Sequence, residues 1–187
     1  MYMYTTENNY AFIDAQNLNR SIARQGWKVD MRRFRIFLKE RHRVSRAFLC
    51  TGFLKEMSDM YDFWKRAGYE LIFKEAFRAT DGSVKGNCDA ELVLEAALRL
   101  RQYDRAVIVT GDGDIACLVR HLRQKNKLER LLVPHKQEYS FLLRKAAGKS
   151  IAFISDQRAL LELKSGETLK KKDPSGTEPE GGLFVSI

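Results

Sequence analysis

AVIVTGDGDIACLV, the stretch at residues 106–119, indicates both the fold of this chain and the position of a site in it. Its apolar first half, residues 106–110, is typical of a strand buried on both faces of a sheet. The turn at 111–114 contains only glycine and aspartate, and apolar residues then recur at helical spacing over residues 114–125. A buried strand, a polar turn and an amphipathic helix in this order predict one unit of a parallel α/β sheet.

The same alternation continues on both sides of this unit. Apolar runs predict further strands at residues 10–13, 44–51, 69–73, 128–133 and 151–154. Helical spacing predicts further helices at residues 30–41, 55–67, 88–101 and 139–147. The pattern therefore predicts an α/β three-layer sandwich, in which a central, mostly parallel sheet of five to six strands lies between helices.

Composition excludes several classes of protein. The chain has 187 residues, enough for one domain with its own core, and no apolar run approaches the roughly 18 residues of a membrane span. No secretory signal is visible at the N-terminus, and three scattered cysteines argue for a reducing compartment, so we expect a cytoplasmic protein with no membrane partner. From residue 164 onward Lys, Glu, Gly and Pro predominate, which predicts a flexible tail at residues 164–187.

The charge of the chain indicates a polyanionic partner. Lys and Arg total 33 against 24 Asp and Glu, a formal net charge of +9. The excess is concentrated at residues 20–46, with ten basic and two acidic residues, and at residues 120–149, with nine and two. Nucleic acid is the partner that such segments favour, although solvated helix faces have the same composition.

Acidic residues follow the predicted strands at the points where a parallel sheet forms its sites. Asp14 follows the first strand, Asp112 and Asp114 follow the fourth, and Asp89 lies on the apolar face at the start of its helix. Any one of them is explained more simply as a helix cap or a turn residue. Four carboxylates at one edge repel each other unless a cation neutralises them, and oxygen-only ligands suit Mg²⁺ or Mn²⁺.

An acidic metal site on a basic protein predicts phosphoryl chemistry on a nucleic acid, with Lys and Arg holding the phosphates. A haloacid-dehalogenase-type phosphatase is disfavoured, because its second aspartate would stand at Gln16. A dinucleotide-binding site is also disfavoured, because residues 111–113 lack the third glycine of the Gly-x-Gly-x-x-Gly motif. An RNA-binding or regulatory module without catalysis stays open as the alternative, although a pure binder would gain from losing the carboxylate repulsion.

Three motifs together resemble those of NYN domains. FIDAQNL at residues 12–18 resembles their hydrophobic-Asp-x-x-Asn motif, and KGNCD at residues 85–89 resembles their Lys-Gly-x-x-Asp motif. TGDGD at residues 110–114 is similar to their Ser/Thr-Gly-Asp-Gly-Asp motif. The order and spacing agree, and residues 8–160 resemble the LabA-like branch of the PIN-like nuclease superfamily.

The resemblance implies a PIN-like, Rossmann-like fold and a metal-dependent ribonuclease domain at residues 8–160 that uses Mg²⁺ or Mn²⁺. It also implies a possible homodimer, since PIN-like domains often dimerise. The implied catalytic and metal-binding acids are Asp14, Asp89, Asp112 and Asp114. The implied supporting residues are Asn17 and Thr110, with Lys85 facing a phosphate.

The basic segments predict how RNA is held. They follow the first and fourth strands, which we expect to be neighbours, so positive charge should border the acidic edge. Arg20 and Arg24 are the expected phosphate contacts of the first segment. Because most aromatic residues fall in core positions, we expect little base stacking.

Overall fold

A parallel six-stranded sheet lies at the centre of the computed structural model, which describes residues 7–75, 77–78, 84–85 and 88–164, with backbone only at 77–78 and 84–85. The strands are β1 (Asn9–Asp14), β2 (Val44–Phe53), β3 (Tyr69–Glu75), β4 (Phe77–Arg78), β5 (Val84–Lys85), β6 (Ala106–Val109), β7 (Leu128–Val133) and β8 (Ile151–Phe153). The sheet has the order β3-β2-β1-β6-β7-β8, and β4 and β5 pair separately as a short antiparallel ribbon.

Helices cover both faces of the sheet, which confirms the predicted sandwich. They are α1 (Ala15–Ala23), α2 (Met31–His42), α3 (Ser58–Arg66), α4 (Asp89–Leu98), α5 (Ala116–Gln124), α6 (Phe141–Ala147) and α7 (Arg158–Leu161). Three-residue 3-10 turns at Lys55–Met57, Gly113–Ile115 and Ser155–Gln157 lead into α3, α5 and α7. Within the described ranges, no helix is both long enough and apolar enough to cross a bilayer.

Two hydrophobic cores, one on each face, hold the layers together. Side chains of β1 alternate between them: Tyr10 and Phe12 pack with α4, α5 and α6, whereas Ala11 and Ile13 pack with α1, α2, α3 and α7. All four are buried, because a central parallel strand is covered on both faces. Burial on both sides explains why the central strands are uninterrupted apolar runs in the sequence.

Strand order determines where the site forms. β1 lies between β2 and β6, with Asp14 opposite Cys50 on one side and Ile13 opposite Val109 on the other. The predicted adjacency of the first and fourth sheet strands is therefore confirmed. The loops that follow β1 and β6 leave the sheet side by side at its carboxyl edge.

Four elements of the described residues, two helices and two short strands, were absent from the sequence-based prediction. The helix α1 begins directly after β1, with Asp14 as its N-cap, and buries only Ala15, Leu18, Ser21 and Ile22. The short strands β4 and β5 and the one-turn helix α7 were also not predicted. Apart from Lys164, the predicted tail at 164–187 lies outside the described residues.

Candidate metal and nucleic-acid site

Asp14 ends β1 and lies at the floor of the site, where only 8% of its surface is exposed. Its Oδ1 accepts a hydrogen bond from the backbone N–H of Asn17 (2.9 Å), and its Oδ2 accepts one from the hydroxyl of Thr110 (3.4 Å). Asp14 is therefore the N-cap of α1, which is the simpler structural role considered for it above. Its second oxygen faces the loop after β6.

Asn17 and Thr110 join the two loops that carry the acids. The side-chain oxygen of Asn17 accepts a hydrogen bond from the N–H of Gly111 (2.7 Å), across 94 residues of sequence. The hydroxyl oxygen of Thr110 accepts one from the N–H of Asp112 (3.1 Å). Both side chains therefore hold backbone and carboxylate groups of the site in position, which is the arrangement expected of supporting residues.

A third element, the start of α6, packs over the same loop. The N–H of Ser140 donates to the carbonyl of Gly111 (3.1 Å), and its side chain accepts from Leu142 N as an N-cap. A Cβ added to Gly113 would lie 2.4 Å from Ser140 Oγ. Only glycine therefore fits at this position of the turn without displacing Ser140. Sequence reasoning missed Ser140, since no local pattern connects it with a turn 27 residues earlier.

Three carboxylates meet above this floor. Asp89, Asp112 and Asp114 each offer an oxygen, and these oxygens all lie within 4.8 Å of one another. Helix α4 brings Asp89 there because it packs on β1, β3 and the turn at Gly113–Ile115. Asp112 Oδ1 accepts from the N–H of Asp114 (3.0 Å), which fixes the relation between those two residues.

The spacing of the three carboxylates suits a divalent cation. Mg²⁺ binds oxygen at about 2.0–2.1 Å, so ligands on opposite sides of one ion are roughly 4 Å apart. Oxygens already within 4.8 Å need to move little to reach that geometry. Three of the four predicted acids can therefore hold a metal together, while Asp14 lies beside them.

The charge on Asp14 is coupled to this group. Burial, together with the nearby carboxylates of Asp89 and Asp112, raises the pKa of Asp14 to about 6. The hydrogen bonds from Asn17 and Thr110 oppose the rise, because they favour the ionised form. A cation on the three-carboxylate group would lower this pKa by the same electrostatic argument.

A cleft of about 940 Å³ opens next to Asp14, Asp112 and Asp114. Arg20 of α1 and Arg24, the C-cap of that helix, line the cleft, and Arg24 also pairs with Glu138 (3.4 Å) at the surface. The second basic segment contributes Glu138, Ser140 and Leu142 to the lining. Basic side chains of that segment, namely Arg120, Arg123, Arg144 and Lys145, are exposed further along α5 and α6.

Lys85 lies in β5, where its backbone pairs with Phe77. Its side chain falls outside the described part of the structure, so its expected contact with a phosphate stays a prediction.

Comparisons with known proteins agree with this architecture. The NYN domain family model matches residues 10–155, from the first strand of the sheet to the end of the last. The low amplitude and bright protein LabA of Synechococcus elongatus is 30% identical over 125 residues, which cover 61% of this chain and 67% of that protein. A protein of unknown function from Vibrio parahaemolyticus has a similar structure, with a TM-score of 0.71 and 22% identity over 87% of this chain and 100% of its own.

Proposed function

Because the chain belongs to the NYN domain family, whose members are generally PIN-like nucleases, we propose that it is a metal-dependent ribonuclease that hydrolyses RNA phosphodiester bonds. The observation that carries this proposal is the group of three carboxylates, Asp89, Asp112 and Asp114, at the edge of a cleft walled by arginines. Acidic ligands beside basic side chains suit a substrate that is itself a polyanion.

Asp89, Asp112 and Asp114 would hold the metal, and Mg²⁺ or Mn²⁺ fits their oxygen-only ligand set. Bound there, such an ion supplies positive charge that stabilises the phosphoryl group during hydrolysis. Asp14 is the fourth catalytic acid of the proposal, at a place set by its hydrogen bonds with Asn17 and Thr110.

Arg20 and Arg24 would position the RNA backbone. Both line the cleft, Arg20 from the last turn of α1 and Arg24 from its C-cap, and both are exposed. The ion pair between Arg24 and Glu138 lies at the surface, where such pairs contribute little, so Arg24 can exchange Glu138 for a phosphate. Lys85 completes the proposed set of phosphate contacts.

Purified protein incubated with labelled RNA and DNA in Mg²⁺, Mn²⁺ or excess chelator tests the proposal. We expect RNA cleavage that requires the ion and disappears in Asp14→Asn and Asp112→Asn. Asp62→Asn is the matched control, because Asp62 is an exposed aspartate on α3 that pairs only with Lys65 among the contacts described. Full cleavage in chelator, or in either site variant, would contradict the assignment, and RNA binding without cleavage would favour the non-catalytic module.

Two further expectations belong to the same proposal. The first is a cytoplasmic location; Cys50, Cys88 and Cys117 form no disulfide bond with one another in the described residues. A homodimer is the proposed assembly, and Leu94 and Leu98, exposed one turn apart on α4, offer it an apolar surface. Sedimentation velocity of the wild type and of Leu94→Lys compares the two oligomeric states.

A further inference from the structure

Two phenylalanines at the carboxyl ends of β2 and β3 are exposed although they contact each other. Phe53 and Phe73 expose 47% and 39% of their surface, and their rings meet edge to face with centroids 5.4 Å apart. Tyr61 of α3 lies behind the pair, with its ring centroid 5.9 Å from Phe53 and 4.9 Å from Phe73. The three rings form a cluster, here called the aromatic platform, whose outer members face solvent.

Hydrogen bonds of Tyr61 hold the aromatic platform in one position. The hydroxyl of Tyr61 donates to the carbonyl of Gly52 (3.0 Å) and accepts from the N–H of Leu54 (2.9 Å). These bonds fix the backbone on both sides of Phe53. Since Tyr61 is itself buried, the inner ring completes the core, while the exposed faces of Phe53 and Phe73 are left available to a flat, apolar partner.

The aromatic platform lies on the same edge of the sheet as the acidic site. Cys50 of β2 is opposite Asp14, and β2 continues three residues further, which places Phe53 about 10 Å beyond Asp14 along the strand direction. Lys74, next to Phe73, reaches across to Glu91 of α4 (3.2 Å), two residues after Asp89. Phe73 and Lys74 point to opposite faces of the sheet, so Lys74 marks the α4 face while the platform lies with Tyr61 on the face covered by α1 and α3. This is the face from which Arg20 of α1 lines the cleft.

We infer that Phe53 and Phe73 stack a nucleobase of single-stranded RNA next to the cleavage site, and this inference rests on the proposed function. Aromatic faces bind bases of any sequence when the bases are unpaired and turned outward. Bases of a duplex are stacked on one another and cannot reach such a surface. Exposed Lys55, just beyond Phe53, adds positive charge for the adjacent phosphate. The inference replaces the expectation of little stacking, which assumed core positions for the aromatic residues.

Binding of fluorescein-labelled single-stranded U12 RNA and of a 12-base-pair RNA duplex, both in excess chelator, tests the inference without cleavage. Phe53→Leu and Phe73→Leu keep an apolar side chain but lose the ring, and we expect each to weaken single-strand binding roughly five- to hundredfold. Phe53→Trp should bind the single strand as tightly as the wild type, because it keeps an aromatic ring. Binding of the duplex should change less than twofold in every variant. Ile36→Ala is the matched control, since Ile36 is 54% exposed on α2, which contributes no residue to the cleft.

The outcomes separate this inference from the proposed function. Unchanged single-strand binding in both leucine variants, or an equal loss in Ile36→Ala, would overturn the stacking role even if the wild type cleaves RNA. An equal loss for duplex would also overturn it, because stacking requires unpaired bases. Selective loss in the leucine variants together with an absence of cleavage would support the platform and refute the nuclease. Thermal melts of each variant exclude misfolding as the cause.

Discussion

Asp14→Asn should raise the free energy of unfolding at neutral pH when chelator is present. In the wild type, folding carries an ionised carboxylate into a buried place beside Asp89 and Asp112, which raises its pKa from 3.8 to about 6. At about 1.36 kcal/mol per pKa unit, this difference costs the folded state about 3 kcal/mol above pH 6. Asparagine caps a helix as well as aspartate does, so most of that cost should be recovered, and we expect a gain of about 2 kcal/mol.

The direction of the pH dependence follows from the raised pKa. The folded state of the wild type holds a proton on Asp14 between about pH 4 and pH 6, whereas the unfolded chain does not. The contribution of this group to stability is therefore fully present below pH 4 and is lost as the pH rises through 6. The Asn variant lacks this component, so its advantage should be largest at pH 7.5 and should vanish near pH 4.

Urea unfolding followed by tryptophan fluorescence, at several pH values between 4 and 7.5 with chelator, measures this effect. Asp62→Asn removes the same charge at an exposed position and should stay within about 0.5 kcal/mol of the wild type at every pH. An Asp14→Asn variant that is less stable at pH 7.5, or whose stability follows the wild-type pH curve in parallel, would refute the reasoning. Adding Mn²⁺ should stabilise the wild type more than the variant. The ion offsets the repulsion between Asp14 and the neighbouring carboxylates, and the variant no longer has that repulsion.

Three further predictions concern packing, the C-terminal segment and RNA binding. Gly113→Ala should cost about 1–3 kcal/mol in thermal melts, because its Cβ would lie 2.4 Å from Ser140 Oγ, and Gly113→Ala with Ser140→Gly should recover most of the loss; an unchanged melting temperature in the single variant would contradict the contact. A chain shortened to end at Ser165 should melt like the full chain, whereas one ending at Gln157 should melt many degrees lower, since it loses buried Leu161 and the backbone bonds Asp30 N–Leu161 O and Leu163 N–Lys28 O (both 2.8 Å); a large drop for the Ser165 chain would show that the tail packs on the core. Arg20→Glu with Arg24→Glu should weaken binding alike for unrelated RNA sequences and reduce the slope of log affinity against log salt by roughly 1.4, at about 0.7 per lost phosphate contact; fluorescence anisotropy across a salt series that shows no salt dependence in the wild type would exclude phosphate capture.

The sheet could be predicted from sequence because its central strands are buried on both faces. Residues 10–13 and 106–109 are uninterrupted apolar runs, and each precedes a change to polar residues, so both the strands and the edge that carries the acids were visible. Helix α1 was missed although Ala15, Leu18 and Ile22 are buried at helical spacing, because it has only nine residues and begins directly after the strand, with Asp14 as both strand end and N-cap.

Contacts between distant segments could not be predicted. The acids were found from their positions after strands, but which of them share one cation depends on how α4 packs, and the structure groups Asp89, Asp112 and Asp114 with Asp14 beside them. The contact of Ser140 with Gly113 and the exposure of Phe53 likewise depend on three-dimensional packing. Propensity and periodicity describe neighbours in sequence, whereas these contacts join parts of the chain that only tertiary folding brings together.

The hydrogen bond between Asn17 and Gly111 has a kinetic consequence. It joins loops 94 residues apart, so the site exists only after β6 has paired with β1, a long-range step that is slow in sheet proteins. We expect the repulsion among the carboxylates to build up only when the last loops join, later than most of the surface burial that the transition state already contains. A divalent ion, which relieves only that late repulsion, should slow the unfolding rate of the protein and leave its folding rate nearly unchanged.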